Sequence, residues 1–350
     1  MRNMALKEIS KIFLWIVLLV GLIWFLSRIS WVMQLIIVSL LIVYVLFPVT
    51  EWLKKWRRIS HFVAVAVAFL IFLLLIIAIL SIIIPIVQRE AKEIVRDFPF
   101  YIRQAQYYLT ELSDYLTTFD LDPELMNILL QLPAKIQPAL EELASYSISL
   151  FFSMVDIFFI LFIVFYLLYD FQNVRHSIIK LVPEAYERYA RDIMRIIDQN
   201  IGGYIRGNIV RCSLVGIFTG VLLSIFGMPY ALLLGIIAGI LNIILYIGPY
   251  IAALPALILS FSADTPSTFV TLVIYVAVQT VDGILLSPLL LGKAVRLRPI
   301  TVIVSLLVGQ QLAGVLGMIL GVPVAGIMRS LLEYVREEQK EAGSGSDTIK

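Results

Sequence analysis

Asp282 lies in an apolar stretch, 268–290, where a carboxylate is expensive to keep. Tyr275, Gln279 and Leu286 recur around it at spacings of four, three and four, which puts all four residues on one helical face. A carboxylate beside an amide and a phenol can take a proton, a cation or a hydroxyl-rich solute. The competing role is a hydrogen bond that ties two helices together. Asp156 falls in another apolar run, 148–169, with the same two roles open to it. Asp170 and Asp264 read as interfacial.

The second set of candidates sits in apolar sequence that cannot form a clean helix. Residues 231–260 carry Gly235, Gly239, Asn242, Gly248, Pro249 and Pro255. Backbone that breaks at membrane depth must be buried in protein or line a cavity, because lipid satisfies no free N–H or C=O. The Asn242 amide can coordinate a solute or satisfy backbone freed at the break, whereas Gly248 and Pro249 set the geometry of a turn. Residues 301–332 repeat the pattern, with Gln310 and Gln311 beside Gly309 and Gly314, and further breakers at Gly317, Gly321 and Pro323.

The elements that must position these residues are membrane helices. The 350 residues are 61% hydrophobic and 15% charged, too few charges to cover a soluble surface of this size. The net charge of +2 carries no message by itself; the placement of basic residues does. Arg2, Lys7 and Lys11 precede an apolar run at 12–26 without a small-residue cleavage site, and the segment 9–26 reads as an uncleaved signal anchor that forms the first span. A second span follows at 31–49 and ends at Pro48. Lys54, Lys55, Arg57 and Arg58 then mark a cytoplasmic loop, flanked by Trp52 and Trp56 at the interface.

A third span, 62–87, runs outward into a module at 88–146 whose short helical patterns are split by Pro99, Pro123, Pro133 and Pro138. The fourth span, 148–169, returns. A basic segment, 170–207, contains an amphipathic helix at 184–200, striped by Ile193, Ile196 and Ile197. The fifth span, 209–226, stops at Gly227 and Pro229; Arg206 and Arg211 at its start read as snorkelling cations.

The loop at 292–299 carries Lys293, Arg296 and Arg298 and no acid, so it belongs inside. Residues 231–260 must then begin and end on the outer side. By the same count, Arg329, Arg336 and Lys340 bring both ends of 301–332 inside. Two broken hairpins entering from opposite faces form an inverted arrangement used by secondary transporters. The first is either a re-entrant hairpin or two short spans turning at 246–249. The second turns near 309–314. The tail, 336–350, reads as disordered.

Other chemistry finds no support. The sequence has no G-x-x-x-x-G-K-[ST] phosphate loop, no H-E-x-x-H and no G-x-S-x-G. One cysteine, Cys212, and two histidines, His61 and His176, fit no metal spacing.

Five motifs then carry a family resemblance. They are GYIRGN (203–208), FGMPYALLLGIIAGILN (226–242), YIGPYIAALPA (246–256), SPLLLGKAVRLRP (287–299) and GVLGMILGVPVAG (314–326). Together they resemble the autoinducer-2 exporter family of bacterial membrane proteins. The resemblance implies export of a small signalling molecule, with some members similar to sodium/proton antiporters. It also implies a homo-oligomer, a pentamer in form, with mobile hairpins. Leu245, Ser287 and Leu297-Arg298-Pro299 depart from the family's usual residues; Ser287 stands where a carboxylate is common.

The expectation is therefore an all-α polytopic transmembrane bundle with two re-entrant or broken hairpins, and no enzyme. Its parts are three spans (1–87), an outer module (88–146), a fourth span (147–170), a cytoplasmic segment (171–207), a transport core (208–335) and the tail. The pathway residues are Asp282, Gln279, Tyr275, Asn242, Gly248, Pro249, Gln310, Gln311 and Asp156. No cofactor or metal is expected beyond coupling to sodium or protons, and the partners are a small solute or ion, the lipid bilayer and copies of the chain, with no nucleic acid. The location is the bacterial inner membrane with both termini cytoplasmic. Three functions compete: solute export, cation/proton antiport, and a non-transporting scaffold whose outer module recruits a partner.

Overall fold

The computed structural model describes residues 30–55, 59–116, 138, 154–262, 265–291 and 297–344. The expected first span, the later part of the outer module, Asp264, and Lys293 and Arg296 of the basic loop fall outside them. The described chain is helical, without a strand. Its elements are α1 (Ser30–Lys54), α2 (His61–Leu116), α3 (Met154–Lys180), a short 3₁₀ turn (Glu184–Tyr186), α4 (Glu187–Ile225), α5 (Ala231–Leu241), α6 (Gly248–Leu259), α7 (Thr268–Val281), a π turn (Asp282–Leu286), α8 (Ser287–Leu291) and α9 (Pro299–Ser344). Six helical stretches among the described residues are long and apolar enough to cross a membrane.

Several helices outrun their expected ends. Proline removes one backbone hydrogen bond and kinks a helix, but it does not end one that tertiary packing supports. So α1 continues through Pro48, where Thr50 Oγ1 donates to the Phe47 carbonyl at 2.7 Å. Likewise α2 continues through Pro85 and Pro99 to Leu116, where short broken helices were expected. Its extension is held by one buried stripe: Ala91, Ile94, Phe98, Ile102 and Ala105. The amphipathic helix expected at 184–200 and the fifth span are one continuous helix, α4. The tail expected to be disordered from 336 is helical to Ser344, consistent with the helix-forming Glu, Gln, Lys and Ala residues there.

The chain divides into two compact units, the first formed by residues up to Ala68 together with Phe152–Phe171. In it, α1 and α3 run parallel. Trp31 Nε1 donates to Asp156 Oδ1 at 3.1 Å at one end, and Tyr44 and Phe47 pack on Phe171 towards the other. Between them Ser39 Oγ donates to the Ile160 carbonyl at 3.4 Å. The start of α2 meets the far end of this pair, where the His61 ring bonds the Tyr169 carbonyl at 2.7 Å and stacks on the Tyr169 ring.

The second unit comprises Phe69–Phe151 and Gln172–Lys350. Its axis is α4. A tight turn at 226–230, with Gly227 at φ +77° and Tyr230 at φ +57°, reverses the chain into α5. The two helices then lie backbone to backbone: Gly216 and Gly220 of α4 face Gly235 and Gly239 of α5. The α7–α8 run is antiparallel to α4, with Gly207 against the Leu290 carbonyl. The end of α9 also returns to the start of α4, where Tyr334 donates to Asp192 Oδ2 at 3.0 Å and Asn200 donates to Ser330 Oγ at 3.4 Å.

Both broken stretches are helical hairpins. The arms α5 and α6 are 11 and 12 residues long and so reach about 16–18 Å each. The end of α6 is tied to the start of α7 by Thr268 Oγ1, which donates to the Ser260 carbonyl at 3.3 Å. The second hairpin lies inside α9, which reverses at Ala313 (φ −145°) and Gly314 (φ +59°, ψ −137°). Its arms close through Gly309 against Gly317 and Gly321 against the Ser305 carbonyl. The base of the first hairpin lies at the end of the unit that holds Ile225 and Thr268. The base of the second lies at the opposite end, where Ser330 and Tyr334 meet Asn200 and Asp192 near the start of α4.

Candidate functional site

Asn208 and Arg211 are one turn apart on α4 and share its buried face. The Arg211 guanidinium joins three elements. Its Nη1 donates to Asp282 Oδ2 at 2.7 Å, its Nη2 to the Asn242 carbonyl at 2.5 Å, and its Nε to Asn208 Oδ1 at 3.1 Å. All four residues are at least 97% buried. A buried ion pair is tolerated only when good geometry and further hydrogen bonds offset the desolvation of both charges, and this fork supplies them on the arginine side.

The helix break explains why the arginine sits here. α5 ends at Leu241, and Asn242 is its C-terminal cap, with a carbonyl that no helical N–H can reach. A cation at the negative end of the helix satisfies that oxygen and the macrodipole together. The chain then turns through 243–247 with Tyr246 at φ +66°, a left-handed conformation that a bulky residue rarely adopts. Gly248 opens α6 because any Cβ there would strike the Leu241 carbonyl, and Pro249 occupies the first helical turn, where its missing N–H costs nothing.

The carboxylate has its own irregular backbone. Asp282 is the first residue of the π turn, which interrupts the ladder between α7 and α8; such turns are common at functional sites. One of its oxygens is left open. Asp282 Oδ1 and both polar atoms of the Asn242 side chain are buried without a hydrogen-bond partner. The Asn242 amide lies beside the Asp282 carboxylate, at the edge of hydrogen-bonding range. The cluster thus holds an amide and a carboxylate oxygen whose hydrogen-bonding capacity is not filled by any well-formed bond within the protein.

The structure brings together only some of the residues singled out by sequence. Asp282, Asn242, Gly248 and Pro249 meet around the hairpin tip. Tyr275 is buried, but its hydroxyl donates to the Ala252 carbonyl at 3.2 Å and ties α7 to α6. Gln279 is half-buried at the edge of the same face. Gln310 and Gln311 are exposed beside the α9 reversal. Asp156 belongs to the other unit, in the first turn of α3, where it accepts from Trp31.

Arg211 corrects the sequence reading. It does not snorkel: its side chain is 3% exposed and paired with Asp282. Its position two residues into the expected span made it look interfacial, but the Asn208–Arg211 spacing on one helical face was the available signal. Asn208 was read only as the last residue of the GYIRGN motif and was given no role in the pathway. Among the described residues no group of His, Cys, Asp and Glu is placed to hold a metal ion.

Long apolar helices with a charged node buried among them define a multi-pass α-helical membrane protein. The chain belongs to the AI-2E transporter family, whose model matches residues 12–337. It is 31% identical over 310 residues to "Putative transport protein YueF" of Bacillus subtilis, covering 84% of this chain and 82% of that one. It is 27% identical over 303 residues to "Putative transport protein YrrI" of the same organism, covering 85% and 84%. A match to "Putative permease PerM" of Escherichia coli is 27% identical over 172 residues, 48% of each chain. The protein is a membrane transporter of this family.

Proposed function

We propose that the chain is a secondary transporter of the bacterial inner membrane that moves a small polar solute outward by alternating access. The observation that carries this reading is the Arg211–Asp282 pair closed onto the Asn242 carbonyl at the tip of the α5–α6 hairpin. A charged node with unfilled hydrogen-bonding capacity, held where a helix breaks, is the kind of site at which transporters bind cargo. A solute bearing hydroxyls could bond Asp282 Oδ1 and the Asn242 amide while Arg211 keeps the tip in place. The hairpins enter from opposite ends, so movement of one against the other could open the node to each side in turn. The basic residues at 54–58 and 293–298 support cytoplasmic termini.

A second reading is cation/proton antiport, favoured by the open oxygen of Asp282. A proton or sodium ion arriving there would compete with Arg211 for the carboxylate, which would loosen the hairpin tip. Purified protein in liposomes tests both. Solute flux that is lost in Asp282→Asn supports the first reading. Sodium-dependent proton flux lost in the same variant supports the second. Flux of either kind unchanged by Asp282→Asn removes Asp282 from the pathway.

A further inference from the structure

The α5–α6 hairpin is held at its base by two carboxylates from α2, a helix that contributes nothing to the Arg211 node. Glu90 Oε2 accepts a hydrogen bond from the Leu233 backbone N–H at 2.9 Å. Leu233 is the third residue of α5, and its N–H is one of those a helix cannot satisfy for itself. The cap residue, Tyr230, makes no side-chain cap bond. Glu90 is 92% buried, so this carboxylate takes the place of the missing cap and meets the positive end of the helix dipole.

Asp97 stands two turns further along the same face of α2 and accepts from the Tyr230 hydroxyl at 2.9 Å. Tyr230 has φ +57°, a conformation that persists in a bulky residue only where its surroundings enforce it. Between and beyond the two acids, Ala91, Ile94, Phe98 and Ile102 share one buried core with Leu233 and Leu234 of α5 and with Ala256, Ile258 and Leu259 of α6. Polar and apolar contacts of α2 therefore converge on the place where the hairpin enters.

We propose that the α2 extension is a clamp, and that Glu90 is a positioning residue that fixes the base of the α5–α6 hairpin so that conformational change is confined to its tip at 242–247. The clamp rests on the reading of this hairpin as a moving part of the transporter. An unfastened hairpin would slide as a whole, carrying the Asn242 carbonyl away from Arg211. A fastened one can release that carbonyl by rearranging the tip alone, where Tyr246 already sits in a left-handed conformation.

The test is hydrogen exchange of the full-length protein in lipid nanodiscs, read at peptides covering 231–236 and 241–247, with flux in liposomes measured in parallel. In the wild type, 231–236 exchanges slowly and 241–247 faster. Glu90→Ala removes the cap and speeds exchange at 231–236 by about 5- to 10-fold, the effect of losing a typical N-cap. Glu90→Gln keeps an acceptor oxygen and restores slow exchange; that rescue separates capping from mere loss of packing. Asp97→Asn and Tyr230→Phe speed exchange at 231–236 less. Exchange at 231–236 that is unchanged in Glu90→Ala, or raised equally in Glu90→Gln, overturns the clamp. Raised exchange in Glu90→Ala with full flux leaves the clamp standing and instead overturns the hairpin's part in transport.

Discussion

Arg211 and Asp282 are 71 residues apart in sequence and 2.7 Å apart in the fold, and both side chains are at most 3% exposed. The pair holds α4 to the π turn, and the same guanidinium holds the hairpin tip. Neither charge has water to fall back on, so their energetics are coupled.

Removing one partner should therefore cost far more than removing both. Arg211→Ala leaves Asp282 buried and alone, and should lower stability by about 3–5 kcal/mol. The double variant Arg211→Met with Asp282→Leu should recover most of that loss, because apolar pairs of similar size often replace buried ion pairs without penalty. Thermal unfolding in detergent across the double-mutant cycle measures the coupling. Single losses that simply add in the double variant would show that the pair is not an energetic unit.

The α4–α5 contact should be intolerant of any side chain. A Cβ on Gly235 would lie 2.7 Å from the Gly216 carbonyl oxygen and 2.7 Å from the Gly220 Cα, both backbone atoms that cannot step aside. Gly235→Ala should destabilise by about 1–3 kcal/mol, the usual cost of overpacking. Gly203 is the control: it lies in the same long helix, α4, with nothing within 4 Å of its Cβ position. Gly203→Ala should be neutral or stabilising by up to about 1 kcal/mol, since alanine is the better helix former. Equal effects at both positions would argue against backbone-to-backbone packing.

Much of this was legible in the sequence, for reasons that differ by element. The two hairpins announced themselves because glycine and proline inside apolar runs, together with basic loops that the positive-inside rule assigns to one side, leave few ways to thread a membrane. Asp282 was conspicuous because a carboxylate in such a run needs a reason. Arg211 was not, since a cation near a span end has an inexpensive alternative in the interface, and only the tertiary fold shows that the helix continues inward past it. Pro48, Pro85 and Pro99 misled in the opposite direction. Local chemistry favours a break at each, but the buried stripe from Ala91 to Ala105 keeps the helix continuous around Pro99. Asn208 gained a role only through Arg211: their spacing of one helical turn was visible, but it mattered only once Arg211 was seen to be buried.

Asp156 should behave unlike Asp282 despite sharing the sequence logic of an acid in an apolar run. Its carboxylate accepts from the Trp31 indole at 3.1 Å, an exposed bond between two helix ends. Asparagine keeps an acceptor oxygen, so Asp156→Asn should hold flux within about twofold of wild type and cost under about 1 kcal/mol of stability. Trp31→Phe should weaken the same α1–α3 contact to a similar small degree. Loss of flux in Asp156→Asn at unchanged stability would promote Asp156 to a pathway residue.

Re-entrance of the hairpins is testable by thiol labelling, and the fold dictates where the probes can go. Gly248 and Gly309 flank the two turns, but a side chain at either would strike backbone: the Leu241 carbonyl for Gly248 and the Gly317 carbonyl for Gly309. Tyr246 and Gln311 are exposed positions at the two reversals and accept a cysteine without such a clash. The single native thiol, Cys212, adjoins Arg211 and should first be replaced by serine. If the tips reach into a shared pathway, an impermeant reagent should label Tyr246→Cys from the cytoplasmic side and Gln311→Cys from the outer side in at least one condition. Added substrate or a sodium gradient should shift the two rates in opposite directions. Labelling of Tyr246→Cys only from outside and of Gln311→Cys only from inside, in every condition, would contradict tips that enter the pathway.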